Sequence, residues 1–457
     1  MTLTDFSPGV RPVAIDLFSG AGGLSLGLEQ AGFDLLAAVD YDPVHAAVHA
    51  FNFPSTETLC ESAATLKADD LLRAAERGFA AHRPGETWDG EVDLVAGGPP
   101  CQGFSTMGKR QFDDHRNDLV FHFWRLVTEV RPRYFVMENV PGMALGKQRQ
   151  ILDDLEAQFR DAGYFLPPHQ ILDSSDFGAP QARRRLVIIG SREDVAAASH
   201  PKPRTLPVVR RGRTSARSEG DLPFGPTVIE AIGDLPDLDG FEQLLSSDSV
   251  KLTAARLRRA ETAASDYARR MRGLDDDPGD LAQPRIWDER LLTSSMRTVH
   301  TAVSVARFAA TTPGKQEDIS RFLRLDPRGL CNTLRAGTGA ERGAYTSPRP
   351  IHPIHPRVIS VREAARLHSF PDWFRLHSTK WHGFRQIGNA VVPLLGRAIG
   401  ESVVDALGAK PVRPTEPLAL GDEGLLRLSM AQAAKEMGVE RDALPGVRVR
   451  DRDHSAA

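Results

Sequence analysis

Cysteine is scarce in this chain: Cys60, Cys101 and Cys331 are the only three in 457 residues. An odd and sparse set argues against a disulfide framework and leaves room for one reactive thiol. Long apolar runs are missing as well, since none approaches the roughly 18 residues of a membrane span. The stretch from Met1 to Arg11 lacks the basic-then-apolar order of a secretory signal, so a cytoplasmic protein is expected. No metal site is expected either. A charge surplus is also lacking, because Lys+Arg 57 against Asp+Glu 60 leaves a net charge of -3 and no global sign of a polyanionic partner. Locally the balance differs: Lys202, Arg204, Arg210, Arg211, Arg213 and Arg217 follow one another with no acid between them. Such a run is more often a solvated loop than a binding site.

What is present is ordinary globular material, with 41% hydrophobic and 26% charged residues. The length exceeds one compact domain and suggests two lobes. In the first half, apolar runs at Val13 to Phe18, Leu35 to Val39, Val92 to Ala96, Tyr134 to Met137 and Leu186 to Ile189 read as strands. Amphipathic segments at Leu24 to Gln30, Val120 to Val130 and Gln150 to Ala162 read as helices. That alternation predicts an α/β fold with a doubly wound, mostly parallel sheet. The rhythm stops after Arg192. A less regular lobe is expected over 193–349, with a charged helical pattern from Thr253 to Met271. Regular pattern returns over 350–408, including a helix from Val391 to Ala406, and a tail of unassigned role covers 409–457. The first domain is set at 11–192.

The segment from Asp16 to Leu24 follows a strand and opens a helix, with Gly20, Gly22 and Gly23 permitting a tight turn and close approach to a ligand. Asp40 closes the next strand, where a carboxylate can accept hydrogen bonds from ribose hydroxyls. Phe18 and Tyr41 can sandwich an adenine or belong to the core. A dinucleotide site or a plain turn would look similar, but Ser25 stands where the third glycine of G-x-G-x-x-G would be. The Phe-x-Gly-x-Gly-Gly spacing suits S-adenosyl-L-methionine better.

Gly97-Gly98-Pro99-Pro100-Cys101-Gln102-Gly103-Phe104-Ser105 carries the strongest signal. Lone cysteines are commonly buried and inert. Here, however, two prolines stiffen the entry and the thiol stands after a strand, where open α/β sheets bind ligands. The segment resembles the catalytic loop of the DNA (cytosine-5)-methyltransferases, and further blocks follow in that family's order. Phe135 to Gly142 resembles the block whose acid, here Glu138, holds the target base. Gln181-Ala-Arg183-Arg184-Arg185 resembles the Q-x-R-x-R segment. Arg357 to Asp372 and Gln386 to Pro393 resemble the last two blocks.

The resemblance implies a class I S-adenosylmethionine-dependent methyltransferase fold with a smaller, irregular target-recognition domain, acting on double-stranded DNA as a monomer. It implies that Cys101 adds to C6 of a flipped-out cytosine, because C5 alone is a poor nucleophile towards a sulfonium methyl. Glu138 would serve N3, with Asn139 bracing the cysteine loop. Arg183 and Arg185 can serve O2 and a flanking phosphate, and Arg185 is the better fit for O2. Pro100, Leu119, Asn389 and Ala390 are expected beside the cofactor. Gln102, Ser105, Thr333 and Arg335 are expected on DNA, with Arg210, Arg211 and Arg213 positioning phosphates. One block departs from the pattern: Leu59-Cys60-Glu61-Ser62-Ala63 lacks the usual aspartate, so Glu61 or Ser62 must meet the adenine amino group.

Two rival readings exist within the superfamily. A transfer-RNA cytosine-5 methyltransferase is disfavoured by the long middle lobe, and an inactive DNA-binding regulator by the intact Cys101, Glu138 and arginines. Enzymes that methylate exocyclic amines would carry Asp/Asn-Pro-Pro-aromatic in place of Pro-Pro-Cys.

Overall fold

A computed structural model of the chain describes residues 9–100, 119–146, 148–208, 222–337 and 349–439. Its centre is an eight-stranded sheet of β1 (Val13–Leu17), β2 (Asp34–Val39), β3 (Glu57–Leu59), β4 (Leu94–Gly97), β5 (Tyr134–Asn139), β6 (Tyr164–Phe165), β7 (Gln170–Asp173) and β8 (Arg184–Arg192). The order is β3-β2-β1-β4-β5-β8-β6, with β7 also paired to β8. The first five strands in that order run parallel, and β8 with its neighbours is antiparallel. Full burial of β1, β2, β4 and β5 explains why they read as continuous apolar runs.

The helices α1 (Gly23–Ala31), α2 (Pro43–Asn52), α3 (Ala68–His82), α4 (Leu119–Val130) and α5 (Gln148–Asp161) complete the wound half. Side chains of β1 divide between two cores: Ala14 joins the layer with α1, while Val13, Ile15 and Leu17 join the one with α3, α4 and α5. The chain steps outward from β1 to β3 and then crosses back to β4. The C-terminal ends of β1 and β4 therefore flank the switch point, which is where such sheets bind ligands.

The later helices are α6 (Val228–Ile232), α7 (Ala254–Ala263), α8 (Asp266–Met271), α9 (Ala302–Ala310), α10 (Val361–Leu367), α11 (Lys380–Asn389), α12 (Pro393–Leu407) and α13 (Met430–Glu436). Helix α12 packs along α1. Gly27 allows this crossing, because a Cβ there would stand 2.6 Å from the Pro393 carbonyl. The charged pattern from Thr253 to Met271 forms two helices instead of one. Thr253 caps the first, and the chain leaves helical geometry at Ala264 before Ser265 caps the second.

The middle stretch is not one independent globule. Val228, Ile232, Tyr267 and Met271 share the core of α1 and α12, whereas Leu238, Phe241, Leu244, Val250, Leu252 and Leu292 form their own small cluster. Arg366, fully buried, ties the two parts: its guanidinium meets Asp372 at 2.6 Å and Asp234 at 3.2 Å. A buried cation is tolerable only when paired and hydrogen-bonded in this way. Within the described part of the tail, Leu418–Ala419 pairs with Arg285–Ile286 and α13 packs on α2. Among the described residues, no helix is long and apolar enough to cross a membrane.

Candidate active site

The turn from β1 into α1 needs left-handed backbone three times, at Phe18 (φ 61), Gly20 (φ 57) and Gly22 (φ 103). Glycine takes this conformation without strain, while Phe18 bears it as a bulky residue. The turn is pinned by Asp40, whose carboxylate accepts from the Gly20 N–H at 2.9 Å and the Asp42 N–H at 2.8 Å. Tyr41 beside it is 45% exposed and offers an open ring, whereas Phe18 packs partly into the core under β1. Gly23 lies so close to the loop before α12 that a Cβ would stand 2.4 Å from the Val391 carbonyl. Ala390 is therefore part of the same wall, and Asn389 is exposed beside it. Glu61 accepts from the Thr65 hydroxyl at 3.3 Å and the Ser62 hydroxyl accepts from the Ala64 N–H at 3.3 Å, so both also serve their own turn. Pro100 and Leu119, both half-buried, border the segment 101–118.

Asp16, on β1, has no role in the sequence pattern. Its side chain is buried, with Oδ2 accepting from the Ser25 hydroxyl at 2.5 Å and Oδ1 without a partner. Ser19 Oγ in the same loop is also buried and unpartnered. Ser25 in turn lies 3.0 Å from His49 Nε2, and His49 Nδ1 lies 3.1 Å from the Thr58 hydroxyl. Burial holds His49 down to about 3 and pushes Asp16 up to about 7. The ring is thus neutral and consistent with donation through Nε2. The unfolded Asp16 carboxyl loses its proton near its ordinary 3.8, while the folded one keeps it to about 7. The folded state then binds more protons across that window, and stability should decline as pH rises through it. Thermal melts of Asp16→Asn should be flatter than wild type between those pH values; equal slopes would contradict this.

At the end of β4 and β5 the second half of the site assembles. Glu138 is buried and its Oε1 lies 2.6 Å from Arg185 Nε. Gly98 faces the same carboxylate, where a Cβ would stand 3.1 Å from Oε2. Asn139 donates from Nδ2 to the Pro99 carbonyl at 3.0 Å, gripping the strand of chain that leads to Cys101. Cys101, Gln102, Ser105, Arg210, Arg211 and Arg213 lie outside the described residues. Arg204, from the same basic run, is paired with Glu401 of α12.

A sequence model of the C-5 cytosine-specific DNA methylases matches residues 13–405. The chain belongs to that family. It is 50% identical over 430 residues to the type II methyltransferase M.XorII of Xanthomonas oryzae pv. oryzae, covering 94% of this chain and 93% of the relative. The type II methyltransferase M.AgeI of Thalassovita gelatinovora is 33% identical, with 86% and 99% covered. A solved DNA modification methyltransferase from an E. coli prophage superposes with a TM-score of 0.65 at 32% identity, covering 87% of this chain and 99% of that one.

In this methylase Arg183 departs from its expected place. It is 2% exposed, and its guanidinium donates to the carbonyls of Leu334 at 2.8 Å, Gly388 at 2.8 Å and Ala390 at 3.0 Å. Burial pulls it down to about 9, and no face of it is turned to solvent for a phosphate. Arg185 alone of the pair stands with Glu138 at the pocket. Gln181, also missed as an actor, donates to His368 Nδ1 at 3.0 Å and accepts from the Leu334 N–H at 3.1 Å, while His368 Nε2 meets the Ala390 carbonyl at 3.1 Å. Thr333 spends its hydroxyl on the Ala182 carbonyl at 2.8 Å, and Arg335 is exposed. A cavity of about 1130 Å³ elsewhere, lined by Phe177, Tyr267, Trp287 and Arg397, holds none of the expected site residues.

Proposed function

We propose that the methylase transfers a methyl group from S-adenosyl-L-methionine to C5 of a cytosine flipped out of a specific duplex sequence, through a covalent Cys101–C6 intermediate. The observation that carries this reading is the convergence of Glu138, Arg185 and the Asn139-held Pro99 at the ends of β4 and β5, beside the Asp40-pinned glycine turn. The residues present fit the cofactor. Asp40 would accept from its ribose, Tyr41 would cover its adenine, and Ala390 with Gly23 would wall its other side. The buried unpartnered Asp16 Oδ1 and Ser19 Oγ need a polar ligand there. When bound, the cofactor supplies a methyl group on a sulfonium sulfur.

The chain's own groups do the rest. The Cys101 thiolate bonds to C6 and pushes the ring electrons toward N3, where Glu138 donates a proton or strong hydrogen bond. Arg185 holds O2 and Glu138 together through its guanidinium. After C5 has taken the methyl, N3 returns its proton to Glu138, water takes the C5 proton, and the C6–S bond breaks with its electron pair going to sulfur, which restores the thiolate. Arg183 acts here as a positioning residue. The stretch 193–349 is proposed to read the DNA sequence, as part of a restriction-modification system or alone.

Expression in a methylation-free host followed by base-resolution mapping should show 5-methylcytosine at one sequence; no such mark, with soluble protein, would overturn the reading. Methylation of transfer RNA instead would favour the rival. Asp40→Ala should weaken S-adenosyl-L-homocysteine roughly 10- to 150-fold by calorimetry. Unchanged affinity would move the ribose contact elsewhere.

A further inference from the structure

Cations gather along one face of α11, with Lys380 standing on it and Arg349 and the chain at Arg335 packed against it. Lys380, Phe384 and Gly388 recur every four residues, so they stack on one side of the helix at about 6 Å intervals. Lys380 donates to the Arg297 carbonyl at 2.7 Å and to the Thr298 hydroxyl at 3.3 Å, both neutral acceptors. Arg349 lies over the Phe384 ring, 4.6 Å from its centroid, with Nε buried and unpartnered. The backbone of Arg335 and Ala336 presses on Gly388, where a Cβ would stand 2.2 Å from the Ala336 nitrogen. None of these three cations has a carboxylate within 4.0 Å among the described residues. The nearby Arg297 and Arg357 do, in Asp239 and Glu363.

Half-buried cations side by side, with no counter-charge, are electrostatically incomplete. Burial lowers Arg349 and Lys380, and the Arg349 charge lowers Lys380 further. The row ends at Gly388–Ala390, the wall of the proposed cofactor pocket, and spans about 12 Å from Lys380. Over that length one strand of a duplex presents several phosphates, at about 3.4 Å of helix axis each. An aromatic platform under Arg349 also fixes the guanidinium plane for a phosphodiester, as a free side chain would not be.

We propose that Arg349 and Lys380 are phosphate contacts that continue the line of Arg335 along α11 and hold the backbone of the duplex beside the flipped base. The inference rests on the DNA-methylating reading and adds two ligand residues to it. Both are separate from the basic run after Lys202.

Binding of a labelled duplex of roughly 30 base pairs, followed by anisotropy from about 50 to 200 mM salt, tests it. Lys380→Gln and Arg349→Gln should each reduce the slope of log affinity against log salt by about 0.9, and the double variant by twice that. Across this salt range each lost contact means about 3-fold less weakening. Lys380→Arg should restore the wild-type slope, and S-adenosyl-L-homocysteine affinity should stay unchanged throughout. A wild-type slope in the folded double variant overturns the proposal, and should that variant fail to fold, Lys380→Gln alone decides. Slopes that fall for single-stranded RNA but not for the duplex overturn it in favour of another polyanion. Wild-type protein with no salt-dependent duplex binding would overturn the DNA reading itself.

Discussion

Cys101→Ser is expected to lower turnover by roughly 10³-fold or more while leaving duplex affinity near wild type. The serine hydroxyl lacks an acidic enough proton to add to C6 at neutral pH. The flanks support this assignment: Asn139 holds the Pro99 carbonyl at 3.0 Å, and Gly98 leaves room for the Glu138 carboxylate. The proposed mechanism needs the Cys101 thiol in the pocket that Glu138 and Arg185 share. DNA carrying 5-fluorocytosine at the target should trap wild-type enzyme as a stable adduct, since fluorine does not leave as a proton does. The serine variant should form none. Wild-type enzyme that methylates normal DNA but never traps would end the covalent mechanism.

Glu138→Gln is expected to reduce the single-turnover rate roughly 10²- to 10⁴-fold, with DNA and cofactor affinities little changed. Glutamine keeps the shape and can still touch N3, but it cannot hand over a proton as charge builds on the ring. It also removes the partner of Arg185, now 2.6 Å away, so the guanidinium would lose its fixed direction toward O2. The loss therefore falls on the transition state and not on ground-state binding. A rate within about threefold of wild type, measured with saturating DNA and cofactor, would remove Glu138 from the chemistry.

Much of the frame was legible because buried parallel strands announce themselves. Leu35 to Val39 and Tyr134 to Met137 fall within β2 and β5, and Val13 to Phe18 overruns β1 by one residue, where Phe18 turns left-handed. The edge escaped notice for the opposite reason: Glu57–Leu59 is short and only half-buried, so it carries no apolar run. Helix α3 was missed although Leu71, Ala74, Ala75, Gly78 and Phe79 mark a helical face, because its other face is densely charged. In the site, the residue types at Asp40, Glu138, Asn139 and Arg185 were readable from their blocks. What no linear pattern shows is how a side chain spends its donors. Arg183 and Arg185 look equivalent two residues apart at the start of β8, yet one faces three carbonyls and the other a carboxylate. Likewise Arg349 and Lys380 are far apart in the chain, and only packing on α11 makes them neighbours.

The knot around Arg183 also bears on how such an enzyme can change its taste in DNA without losing its chemistry. Because Cys331, Thr333 and Leu334 are hydrogen-bonded to Pro180, Gln181, Ala182 and Arg183, the exit of the middle stretch belongs mechanically to the catalytic half. A segment exchange that ends upstream of Cys331 keeps those hydrogen bonds, whereas one that runs past Leu334 must again present a carbonyl to the buried Arg183 guanidinium, and either must keep Asp234 for Arg366. If 193–349 reads DNA as proposed, its last few residues are inherited with the catalyst.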